Sequence, residues 1–134
     1  MKTKVYIVKR VFAGECCVND SGDTIVTRDP SFIVINVDGE TLPGYEQKFS
    51  LYHQGPRSWT VIHNMSGLTC AYGDSRSKTI AEFERLYRNR KILRDLNESD
   101  YDREKEILRE HGIKTVGEYL IPDGYMPEDY DAQT

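Results

Sequence analysis

The chain has 134 residues, of which 38% are hydrophobic and 30% charged, and a formal net charge of -4. This length and balance suit one domain with a single modest core and a well-solvated surface, and the acidic excess argues against a general nucleic-acid binder, which needs a basic face. Three cysteines, two of them adjacent as Cys16-Cys17, make no disulfide framework; no apolar run reaches membrane-spanning length, no secretory h-region follows Met1, and a cytoplasmic location is expected.

The elements follow from periodicity. Val5, Ile7 and Val8 among Lys4, Lys9 and Arg10 predict a first strand. Cys16 to Val18 and Thr24 to Thr27 flank Asn19-Asp20-Ser21-Gly22, whose residues tolerate left-handed backbone and predict a hairpin. Phe32 to Val37 is a β-branched run followed by Asp38-Gly39, a dipeptide that predicts a second hairpin. Beyond Pro43-Gly44, the alternation of Phe49, Leu51 and His53 predicts another strand, closed by Gly55-Pro56. Trp59, Val61 and His63 should share one face of the next, and Leu68, Cys70 and Tyr72 lie at strand spacing after the Ser66-Gly67 turn. Six or seven strands, mostly hairpin-connected, give a mostly antiparallel sheet in the N-terminal half.

From Asp74 the period lengthens to about 3.6 residues. Ile80, Phe83, Leu86, Tyr87, Leu93 and Leu96 fall on one face of a single helix ending near Asn97, with a start at Thr79 and Glu82 or earlier at Asp74, Ser75 or Ser77. Ser99, Asp100 and Asp102 open a second helix that buries Ile107 and Leu108 and stops at Gly112. Thr115 and Glu118 open a short third helix before Pro122. The reading is an α+β domain over residues 1–121, a sheet followed by a helical hairpin and a short helix, with an acidic tail over 122–134 expected to be disordered.

Catalytic and metal signatures are absent at the level of motif. His53, His63 and His111 have no ligand partner at metal-binding spacing, although His53 and His63 could meet across paired strands. No local Cys/His or Ser/His arrangement marks a nucleophile, and the glycines are isolated turn residues rather than a phosphate loop. A non-catalytic chain without a cofactor is expected. Chemistry concentrates instead in cations: Arg85, Arg88, Arg90, Lys91 and Arg94 occur without an acid between them. Arg85, Arg88 and Lys91 form an outward stripe, with Asp100, Asp102, Glu104 and Glu106 as ion-pair partners across the helical hairpin. Arg90 and Arg94, at i and i+4, are placed to project into a groove and grip phosphate oxygens. Intramolecular ion pairing is the plainer reading of these arginines. On the sheet, Arg57, Trp59 and His63 alternate onto one face, where Trp59 could either clamp a planar ring or anchor the core.

The segment WTVIHNMSGLTCAYGDSRSKTIAEF, Trp59 to Phe83, resembles hairpin-then-helix segments of small phage-encoded proteins. The wider plan, an antiparallel sheet followed by arginine-bearing C-terminal helices, is similar to that of the phage anti-Thoeris sponge family. That resemblance implies capture, without hydrolysis, of a small cyclic ADP-ribose-like nucleotide in a host-cell cytoplasm. The ligand would lie between the sheet of one protomer and helices of the same or a neighbouring protomer of a homo-oligomer. The candidate ligand-binding residues are Arg57, Trp59, His63, Arg88, Arg90 and Arg94. The rival reading is a protein-binding inhibitor of a host enzyme or nuclease that uses the acidic tail with Tyr119, Tyr125 and Tyr130.

Overall fold

The computed structural model describes residues 1–10, 16–18, 24–26 and 32–120. Seven strands lie in that set: β1 (Lys2–Arg10), β2 (Cys16–Val18), β3 (Thr24–Val26), β4 (Phe32–Thr41), β5 (Phe49–Gly55), β6 (Ser58–His63) and β7 (Thr69–Gly73). Five form an antiparallel sheet in the order β1-β4-β5-β6-β7, and β2 pairs β3 in a separate ribbon. The chain is therefore α+β, as its change of period predicts. The expected hairpin turn at 19–22 and the tail lie outside the described residues.

Asp38-Gly39 is not a turn. Both residues sit inside β4, opposite Lys4 and Thr3, and the strand runs on to Thr41. Glycine is required there because of close packing: a Cβ on Gly39 would lie 2.5 Å from Val5 Cγ2 and 2.8 Å from the Leu51 carbonyl oxygen. The dipeptide thus reflects crowding within the sheet rather than a chain reversal. β4 meets β5 only through Glu40 and Thr41, and β1 swings back until the Val8 N–H reaches the Gly67 carbonyl at 3.4 Å. Gly67 has φ +70, and a Cβ there would stand 2.8 Å from Val8 Cγ2.

The helices cover one face. The helix α1 (Arg76–Asn89) starts at Ser75, whose side chain accepts from Lys78 N–H at 3.2 Å. Thr79 is no cap; it is buried in the first turn, and its hydroxyl donates to Ser75 O at 2.7 Å. The single helix expected to reach Asn97 breaks at Arg90, which is extended (φ -119, ψ 111) between α1 and α2 (Lys91–Glu98). Ser99 closes α2, and Asp100 caps α3 (Tyr101–Glu110) by accepting from Arg103 N–H at 2.8 Å. Gly112, with φ +68, ends that helix as its position predicts. Thr115 then opens α4 (Val116–Leu120).

Phe49, Leu51, Val61 and Ala71 of the sheet pack with Phe83, Leu93, Leu96, Ile107 and Leu108 of the helices. A smaller cluster joins Val34 to Val116 under α4, with Tyr6, Val8 and Tyr119 beside it. Leu93 is buried, whereas Leu86 is half-buried at the edge of the main core. No helix among the described residues is long and apolar enough to cross a membrane.

Candidate functional site

The most buried polar chemistry is a chain of four side chains that ties α3 to the sheet. His63 alternates with Val61 on the core face of β6, and Glu104 lies one turn before Ile107 and Leu108 on the buried face of α3. Glu104 Oε1 accepts from His63 Nε2 at 2.5 Å, and Oε2 accepts from Lys48 Nζ at 2.6 Å. The other ring nitrogen, Nδ1, lies 2.7 Å from Ser66 Oγ, which also accepts from the Leu68 N–H at 3.3 Å. An ionised carboxylate only accepts, so this network fixes the proton on Nε2, and the Ser66 hydroxyl can donate to Nδ1.

Serine, histidine and glutamate in line suggest a nucleophile, but their burial suits a structural tie better. Ser66 and His63 are each 1% exposed, and the space they border is a small cavity of about 200 Å³ shared with Cys70, Leu93 and Leu108. Burial opposes ionisation of Glu104, but the hydrogen bonds from His63 and Lys48 outweigh it and hold the carboxyl below its usual value. Cys70 is equally unsuited to nucleophilic work, because burial pushes its thiol up to about 12. Among the described residues, no group of three His, Cys, Asp or Glu side chains is arranged to hold a metal ion.

A more accessible constellation lies at the far end of the sheet. The register pairs His53 with Trp59 and Phe49 with His63, so the two strand histidines do not meet. Instead the His53 ring stacks on the Trp59 indole, with centroids 4.1 Å apart and planes 6° from parallel. Trp59 is half-buried against the core and His53 is exposed, so the stack presents an outer imidazole face. Both rings border a cleft of about 600 Å³, which also takes in Lys2, Lys4, Asp38 and Glu40. Asp38 is held by Lys4 at 2.6 Å and Glu40 by Arg76 at 2.7 Å. The Lys4 hydrogen bond and charge hold the Asp38 carboxyl below its usual value, with a smaller contribution from the charge of Lys2, which makes no close ion pair among the described residues.

The six candidate residues are thereby separated. Arg57 is exposed in the β5–β6 turn at φ 56, and six residues of strand, about 20 Å, separate it from His63. Trp59 lies in the open cleft, while His63 is buried in the core against Ser66 and Glu104. Arg88 is exposed at the end of α1, and Arg90 is exposed at the break. Arg94 does not join Arg90 in a phosphate fork: its Nη1 donates to the carbonyls of Tyr87 and Arg88, both at 2.7 Å, closing the end of α1. The expected ion pairs across the helical hairpin are local instead, Arg85 with Glu82 and Lys91 with Asp95, because neighbours on the same helix face lie within reach at low entropic cost. Arg94→Ala should therefore cost about 1–3 kcal/mol in urea unfolding, because it leaves two helix-end carbonyls without their charged donor.

Comparison with protein-family models, curated proteins and solved structures gives no match.

Sequence reasoning missed His53, Lys2, Lys4 and Glu104. A signal for Glu104 was present, since a carboxylate three and four residues before Ile107 and Leu108 interrupts an apolar face. Lys2 and Lys4 carry no such mark; the pairing of β1 with β4 and of β4 with β5 brings them to the cleft that Trp59 also lines.

Proposed function

We propose that the protein captures a small nucleotide of the cyclic ADP-ribose type without hydrolysing it, in the cleft beside His53 and Trp59. The observation that carries this reading is the parallel His53–Trp59 stack opening into a cleft of about 600 Å³ with two lysines on its rim. A base would extend the stack on the outer face of His53, where aromatic stacking contributes about 1–3 kcal/mol per base. Its phosphates would meet Lys2 and Lys4, with Asp38 releasing Lys4 as the anion arrives. The similarity in plan to the sponge family supports the ligand class, and the open volume of the cleft suits a ligand of that size.

Trp59 is the sole tryptophan, so its fluorescence reports directly on the cleft. Titration with a panel of cyclic and linear nucleotides should quench or shift that emission for at least one ligand. His53→Ala should weaken binding roughly tenfold through the lost stacking surface, and Arg90→Ala should leave it unchanged. Heat denaturation of the complex followed by mass spectrometry should return the nucleotide intact. If no nucleotide in the panel alters the emission, or if Arg90→Ala abolishes binding while His53→Ala does not, this cleft is not the site.

A further inference from the structure

The strand β7 is an end strand of the sheet, and among the described residues nothing pairs with its outer edge. Its sequence, Thr69-Cys70-Ala71-Tyr72-Gly73, carries neither proline nor lysine, the residues that most often blunt such an edge. A register shift against β6 falls at Cys70, leaving Ala71 to Gly73 as the regular stretch. Next to this edge runs α1. Gly73 abuts Thr79 so closely that a Cβ there would lie 2.7 Å from Thr79 Oγ1, and the helix returns along the strand until Arg90 overlies Thr69 and Cys70. Between them is a groove of about 610 Å³, floored by all five β7 residues and walled by Lys78, Glu82, Arg85 and Arg90. Five strand residues span about 17 Å, and the 14 residues of α1 span about 21 Å, so the helix flanks the whole strand.

Charge along the wall is uneven. Lys78 is matched by Asp74 at 3.4 Å and Arg85 by Glu82 at 2.5 Å. Arg90 makes no side-chain hydrogen bond or ion pair among the described residues, and it closes the Thr69 end of the groove. We propose that this groove docks an extended peptide segment of another protein, which adds a strand to β7 and sets an acidic side chain against Arg90. The alternating donors and acceptors of a strand edge suit another polypeptide backbone, and the unmatched guanidinium selects a carboxylate at one end. A nucleic acid fits less well, having no backbone donors to return to the strand and facing a chain of net charge -4.

The test is selection of a displayed library of random seven-residue peptides on the full-length protein, followed by titration of the enriched peptides against isotope-labelled protein. Enrichment of β-forming sequences with an Asp or Glu near one end is expected, together with amide shifts concentrated at Thr69–Gly73. Arg90→Glu should weaken those peptides tenfold or more with an unchanged melting temperature, since the side chain holds nothing internally. N-methylation of alternate peptide amides should weaken binding comparably by removing ladder donors. Failure to enrich any peptide, tolerance of N-methylation at every position, or amide shifts confined to the His53–Trp59 cleft would each overturn the proposal.

Discussion

Glu104→Gln should destabilise the protein by about 3–5 kcal/mol, the range for breaking a buried charge pair by removing one partner. The carboxylate is 2% exposed and serves two donors, His63 Nε2 and Lys48 Nζ. An amide of the same shape offers one acceptor and one donor, so either the histidine or the lysine must face an N–H group. Chemical denaturation of the two proteins at neutral pH measures the loss, and a change below about 1 kcal/mol would show that water replaces the carboxylate easily. The same group sets an acid limb. Because its carboxyl is held below the usual 4.5 in the folded protein, its stabilising contribution is complete above about pH 4.5. It drains away as the pH falls through the lower folded value. Glu104→Gln should therefore flatten the acid side of the stability profile as well as lower its plateau.

Phe83→Ala should cost about 3–5 kcal/mol for a different reason, the cavity left by a large ring in a closed core. Phe83 is fully buried, with ring centroids 4.8 Å from Phe49, 5.1 Å from Tyr45 and 5.9 Å from Tyr87. Those rings come from α1, β5 and the β4–β5 connection, so none can collapse into the void without moving the others. Leu86→Ala, three residues on and half-buried at the cluster edge, should cost clearly less. Thermal and urea unfolding of both variants checks the order; equal losses would mean that the apolar face of α1 is rotated from its observed position.

The arginines show how far local pattern reaches. Arg90 and Arg94, at i and i+4, would lie together on one continuous helix, and the apolar spacing from Ile80 to Leu96 gives no reason to interrupt it. The break at Arg90 changes that geometry: Arg94 turns back to the carbonyls of Tyr87 and Arg88, and Arg90 is left over the edge of β7. Asp38-Gly39 misled in the same way. Its turn propensity is real, but Val5 and the Leu51 carbonyl, distant in sequence, decide that the glycine sits mid-strand.

Sequence alone determined the class of the molecule, because periods of two and of 3.6 residues are local properties that survive in any tertiary context: antiparallel strands through Gly73, helices afterwards, and chain stops such as Gly112. It also determined the buried faces of the helices, in Phe83, Leu93, Leu96, Ile107 and Leu108. Tertiary structure alone decided which polar groups meet. Glu104 reaches His63 across 41 positions and Lys48 across 56, and Lys4 lines one cleft with the His53–Trp59 stack through strand pairing that joins distant parts of the chain. Such contacts depend on strand register and on the angle at which a helix crosses the sheet, and neither quantity leaves a periodic trace in the chain.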